Sequence, residues 1–230
     1  MNKKVMNILL ACSILGLFSL LSCGESEEQN DLNQAQDCLN KALPANAAAC
    51  RTLLVNHHSK EAYTLRCASD FLAEGVTATK MAEALEKRDA TDTTNNALLG
   101  MMGIISFSTE ALLDQADADC SRSGYPSYVM LAKMAKISTK IATVGGLTIS
   151  AASKPTQTEM ETALATAYNG GNPSSDTKET VGAAAQIIKN DYCNADNATS
   201  KVCTTVTTAI GSNTTNQAIG NELLVQLQNR

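Results

Sequence analysis

The sequence has no tryptophan, only two histidines and four prolines, and its aromatic residues are limited to five tyrosines and three phenylalanines. With so few large rings, a core must be assembled from Ala, Leu, Ile, Val and Met, and small side chains of this kind let helices approach closely. The two histidines, His57 and His58, are adjacent. Neighbours in sequence do not share a helix face, so the pair reads as a solvated turn, and the usual general base is missing elsewhere. A Ser-His-Asp or Cys-His hydrolase is therefore not expected. No run of Lys and Arg exists to neutralise successive phosphates, and the few rings are not interleaved with basic residues, which excludes a nucleic-acid surface. Gly170-Gly171 is not followed by Lys and lacks the P-loop frame, so it reads as a turn.

What is present is a chain of 230 residues, 44% apolar, long enough for one sizeable core or two small ones and outside the compositional class of disordered proteins. Its first residues form an address. Asn2-Lys3-Lys4 is a short basic segment, and the apolar stretch from Val5 to Leu21 is interrupted only by Asn7, Ser13 and Ser19. That is the pattern of a signal peptide, and the small residue at its end argues for cleavage rather than an uncleaved membrane span. Leu20-Leu21-Ser22-Cys23-Gly24 resembles the lipobox of bacterial lipoproteins, with Leu three positions before the cysteine. Ser22 stands where Gly or Ala is commoner but is still small. The resemblance implies that residues 1–22 are removed, that the Cys23 thiol receives diacylglycerol and that the new amino group is acylated. It further implies a covalent lipid on Cys23 as the only cofactor and a place in the cell envelope. Because Gly24 is not the Asp that marks inner-membrane retention, the expected site is the outer membrane, facing the periplasm or the cell surface. Two or three acyl chains give a stable anchor where one does not. Without Lys3 and Lys4 the mature chain has 16 basic and 23 acidic residues, a charge of −7. Residues 23–30 are polar and acidic and read as a flexible tether.

Beyond Cys12 in the signal and the lipidated Cys23, six cysteines remain: Cys38, Cys50, Cys67, Cys120, Cys193 and Cys203. An even number in an oxidising compartment points to disulfides. Paired short spacings of the zinc type are absent. Cys193 with Cys203 is the first pairing expected, since Asn194-Ala195-Asp196-Asn197 between them is turn chemistry. Cys38 and Cys50 flank Pro44 at matching distances, which leaves Cys67 for Cys120; Cys50 with Cys67 is the rival.

The mature chain reads as all-α, because strand-like alternation is nowhere sustained. Helices are expected over 31–43, 47–55 and 60–74, the last stopped by Gly75, and a fourth is capped by Thr77 and runs through Met81, Ala82 and Leu85. Asp31–Leu43 is similar to the second helix of the tetratricopeptide repeat, with Ala35 and Ala42 at its small packing positions. Glu61–Cys67 is similar to its first helix, with Tyr63 at the aromatic position. The resemblance covers only residues 31–87 and implies helical hairpins over 31–88. After a polar break over 89–96, a helical bundle is expected over 97–230. In it, 97–107 is the most apolar segment and reads as a buried central helix, and 128–144 as an amphipathic one with Lys133, Lys136 and Lys140 beside its apolar face. Gly145-Gly146 marks a kink or an end, helices follow over 156–168, 201–210 and 213–228, and Asp176 with Glu179 resembles a capping box opening another.

Other constellations favour bland readings. Asp114, Asp117 and Asp119 cluster, but Arg122 stands where a calcium loop needs glycine. Glu83 with Glu86, or Glu159 with Glu161, are carboxylate pairs of the kind expected on exposed helix faces. The expectation is a non-enzymatic binding or scaffold module, attached to a membrane by lipid and meeting another envelope protein. The alternative is a helical pocket for a small apolar ligand lined by Met101, Met102, Ile104, Met130 and Met134.

Overall fold

The computed structural model describes residues 27–77, 79–80, 96–168, 171–193, 198 and 201–229. Cys23 and the signal peptide, the expected helix through Met81 to Leu85, the pair Glu83 and Glu86, and the turn 194–197 lie outside these. Among the described residues there are ten helices and no strand: α1 Glu27–Lys41, α2 Pro44–Thr52, α3 Lys60–Ala73, α4 Asn96–Ile105, α5 Glu110–Ser123, α6 Pro126–Val144, α7 Gln157–Tyr168, α8 Ser175–Asp191, α9 Lys201–Ile210 and α10 Asn216–Gln228. The fold is all-α.

Most breaks follow the backbone chemistry of Pro and Gly. Pro44 and Pro126 occupy first helical turns, where their missing N–H costs nothing. Gly75 (φ 78°) and Gly146 (φ 76°) end α3 and α6 in the left-handed conformation. In each case two returning backbone bonds form a Schellman motif, Val76 N–H to Phe71 O and Gly75 N–H to Leu72 O for α3. Gly75 is doubly required, since a Cβ there would lie 2.2 Å from the carbonyl oxygen of Ala151. Ser59, Thr109, Ser174 and Thr215 cap α3, α5, α8 and α10 by accepting from the N–H three residues on.

Three local expectations are corrected. The helix α1 starts at Glu27, so the second half of the stretch read as a tether is its first turn, with Glu27 and Glu28 suited to the positive end of the helix dipole. Ser174, not Asp176, caps α8, because the Ser174 hydroxyl reaches the Thr177 N–H at 3.1 Å while Asp176 pairs with Lys140. The central helix is α6 rather than α4. It is buried on several sides, against α4, α5, α7 and α8, because small residues (Ala132, Ala135, Ser138, Ala142) alternate with its apolar ones and admit neighbours closely. Ser138 Oγ donates to Met102 O, and Thr139 Oγ1 accepts from Phe107 N–H at 2.9 Å, tying α4 and its exit to α6.

One hydrophobic core runs from Cys67 and Phe71 in α3 through α4–α8 to Leu227 in α10. A satellite of Ala35, Leu54 and Ala62 joins α1, the end of α2 and α3. The α8–α10 crossing is the tightest, because Gly182 and Gly220 each leave no room for a Cβ: one at Gly182 would lie 1.9 Å from Asn216 O, and one at Gly220 1.9 Å from Lys178 O.

Candidate functional site

The six cysteines of the described body form three disulfides, Cys38–Cys50, Cys67–Cys120 and Cys193–Cys203. The rival Cys50–Cys67 pairing is not formed. Cys67–Cys120 staples α3 to α5 with Cα atoms 4.9 Å apart, and both cysteines are fully buried.

Around that staple sits a group of buried charges. Arg66 and Asp70 lie one turn apart on the buried face of α3, on either side of Cys67, and Asp119 precedes Cys120 in α5. Arg51 from α2 reaches Asp119 Oδ2 at 2.7 Å and Asp70 Oδ1 at 3.3 Å. Arg66 reaches Asp119 Oδ1 at 3.3 Å and donates to Leu54 O. Gln115 donates to Asp70 Oδ1 at 2.6 Å. The Arg66 guanidinium also lies 4.4 Å over the Tyr63 ring. Two cations and two anions balance, so the cluster locks α2, α3 and α5 together with little net charge.

Asp70 is the strained member. Its Oδ2 has no hydrogen-bond partner, and burial lifts its carboxyl from 3.8 to about 6, against the Gln115 hydrogen bond and the charge of Arg51, which both lower it. The folded chain thus keeps a proton that the unfolded chain releases between about pH 4 and pH 6, and Asp70 withdraws stability as the pH rises through that window. Asp70→Asn removes the titration. Relative to the parent, the variant should gain roughly 2 kcal/mol in urea unfolding between pH 4 and pH 7; a difference that stays constant with pH would contradict this.

A second buried pair ties α3 to the opposite end. Glu74 accepts from Ser108 N–H and Ser108 Oγ, each at 2.8 Å, and lies 3.6 Å from Lys154, which also donates to Ser106 O. Burial pushes the Lys154 ammonium down to about 8, with Glu74 working against that fall.

The acidic triplet seen in the sequence is split: Lys136 lies 3.1 Å from Asp114 and 3.8 Å from Asp117, and Asp119 stands apart. Asp117 pairs with Lys133 and Asp114 with Lys136, while Asp119 belongs to the arginine cluster. Among the described residues no group of His, Cys, Asp and Glu has the arrangement of a metal site. Glu159 and Glu161 are not a paired acid and base. Glu159 accepts from Thr156 N–H at 2.7 Å while Thr156 Oγ1 accepts from Glu159 N–H, a capping box that holds the Glu159 carboxyl below its ordinary range. His57, expected in a solvated turn, is partly buried against Asp31 at 2.8 Å, and His58 meets the Tyr63 hydroxyl at 3.3 Å.

Of the methionines proposed to line an apolar pocket, Met102 and Met134 face a common cavity with Ile137, Ile188, Val206 and Leu223. Its volume is about 40 Å³. Ligand pockets are on the order of 300–1,000 Å³, so this is a packing gap. Met101 and Met130 are half-buried at the margin of the core instead.

The larger opening is elsewhere. A surface groove of about 480 Å³ runs between α1, α3 and the start of α6. Gln29, Asn33 and Gln36 form one wall, at the spacing that places residues on a single helix face. Leu32 and Leu65 make the half-buried floor, and Tyr125 and Tyr128 close the far side. The groove was not legible in advance because its walls come from segments about 90 residues apart.

No family model matches this chain, and neither a curated protein nor a solved structure does. No helix among the described residues is long and apolar enough to cross a membrane.

Proposed function

We propose that this chain is a lipid-anchored envelope protein that serves as a non-catalytic binding module, holding another envelope component in the groove between α1, α3 and α6. The groove carries this reading: it is the largest opening described above, it is accessible, and its walls have neither a histidine nor a paired set of carboxylates. The strongly interacting carboxylates inside the body, Asp70, Glu74 and Asp119, are engaged by arginine, lysine or backbone groups and hold helices together. The lipobox resemblance at Leu20–Cys23 supplies the anchor. From Cys23 to Glu27 the chain spans at most about 14 Å, so acylation there keeps the body, and the Gln29 end of the groove, close to the lipid surface.

The test combines fractionation with crosslinking. Expressed in a bacterial host, the parent chain should appear in the membrane fraction, with an N-terminal peptide that begins at Cys23 and carries diacylglycerol mass. Cys23→Ser should move it to the soluble fraction, and in-cell crosslinking of the parent should recover envelope components. A mature chain that begins at Met1 and carries no fatty acid, or a Cys23→Ser chain that stays in the membrane, defeats the anchor; a turnover-competent monomer without crosslinked partners defeats the module.

A further inference from the structure

We infer that the groove between α1, α3 and α6 is a saccharide site, its ligand a neutral oligosaccharide strand. The inference rests on the binding-module reading above for its biological role, but the site chemistry is argued from the groove itself.

A sugar ring presents two chemically different surfaces, a face of C–H groups and an edge of hydroxyls that each donate and accept. A site for it needs a flat apolar platform beside neutral groups of mixed hydrogen-bonding character. The groove has both. Tyr125 is 46% exposed in a chain with very few rings, and it meets Tyr128 edge-to-face with centroids 6.3 Å apart, so the two rings form an angled platform at one end. Opposite them, the carboxamides of Gln29, Asn33 and Gln36 repeat along α1, where Gln29 donates to Asn33 Oδ1 at 3.3 Å and Gln36 to Asn40 Oδ1 at 3.1 Å. A carboxamide carries both donors and acceptors, and these exposed bonds along the helix are ones a sugar hydroxyl exchanges for its own. Thr64 and Ser127 add hydroxyls between the two sides. The volume of about 480 Å³ falls inside the range of small-molecule sites.

The same composition rules out other ligand classes. No Lys or Arg lines the groove, and its one charged residue is Glu61, so phosphates and other anions meet repulsion rather than a counter-charge. A purely apolar ligand would meet the two leucines and the two tyrosine rings but would desolvate three carboxamides and the hydroxyls of Thr64 and Ser127 without giving them partners. A peptide strand draws much of its affinity from unpaired backbone groups at a sheet edge, which helices α1 and α3 do not offer, and a helical peptide needs a longer row of apolar anchor sites than Leu32 and Leu65 supply.

The test is isothermal titration of the intact, lipidated chain in a detergent without a sugar headgroup, with N-acetylchitotetraose, cellotetraose and maltotetraose as probes. At least one should bind with a Kd of about 1 mM or tighter. Tyr125→Ala and Gln36→Ala should each weaken that binding about tenfold without moving the melting temperature, while Tyr125→Phe, which keeps the ring, should retain it. Overturning results would be no binding of any of the three probes, binding that Tyr125→Ala and Gln36→Ala leave unchanged, or groove variants that abolish capture of a protein partner and leave saccharides untouched. Failure here with envelope crosslinks intact removes the saccharide and keeps the module; loss of the lipid or the crosslinks strikes the parent reading instead.

Discussion

Replacing the Cys67–Cys120 disulfide by two alanines should lower unfolding stability by about 4 kcal/mol, against about 3 kcal/mol for the same change at Cys38–Cys50 or Cys193–Cys203. The ordering follows from chain entropy. Cys67 and Cys120 are 53 residues apart, and the other two pairs 12 and 10, so this bond removes the largest share of freedom from the unfolded chain. Position reinforces it. Cys38–Cys50 joins α1 to the neighbouring α2, and Cys193–Cys203 joins the end of α8 to the next helix, whereas Cys67–Cys120 clamps α3 onto α5. Both its sulfurs are fully buried, and it stands between Arg66 and Asp119, whose pairing depends on the same helix separation. Urea unfolding of the three alanine pairs, followed by circular dichroism, gives the comparison directly. A loss at Cys67–Cys120 no larger than at Cys193–Cys203 would show that the long loop contributes nothing and that local strain governs all three.

How much of this was legible in the sequence depended on whether the deciding contact was local. The stops at Pro44, Gly75 and Gly145-Gly146 could be read from single residues, because ring closure at proline and positive φ at glycine act within one turn. Helix type was equally legible. The capping of α8 was misplaced by two residues because Ser174 and Asp176 are both good caps, and only the Lys140 partner from another helix takes Asp176 away. The central helix was misassigned for the same reason. Apolarity marked 97–107, but what wraps α6 is the run of small residues, whose value appears only when four other helices close on it. Of the buried charge cluster the sequence carries one signal: Arg66 and Asp70 fall at the same spacing as Ala62 along the buried side of α3. Charges on such a face need partners from other helices, and these lie outside α3: Asp119 on α5 for Arg66 and Arg51 on α2 for Asp70. The groove is a similar case, since no pattern within α1 reveals that Tyr125 stands opposite it.

The other large effect is expected at Asp119. Asp119→Ala should cost about 3–5 kcal/mol, because it strips the carboxylate that the buried Arg66 and the half-buried Arg51 share. The two arginines are not equivalent. The Arg51 side chain is 24% exposed and retains Asp70 at 3.3 Å, so it keeps part of its solvation and a counter-charge. That of Arg66 is only 6% exposed, and without Asp119 its direct contacts are a carbonyl and the face of Tyr63, with the Asp70 charge acting on it less strongly than on Arg51. Adding Arg66→Met to Asp119→Ala should therefore restore more stability than adding Arg51→Met does, since removing both buried partners is far less costly than removing one. The double-mutant cycle, measured by urea unfolding at pH 7, checks this; equal rescue by both methionines would mean that the cluster acts as one diffuse field rather than through the Arg66–Asp119 contact. The consequence reaches the surface. Helix α3 carries Arg66 on its buried side and Thr64 and Leu65 towards the groove, while Tyr125 follows α5 directly, so the α3–α5 lock sets the distance between the groove's floor and its tyrosines. Asp119→Ala should accordingly weaken saccharide binding as well, and Arg66→Met should recover both together.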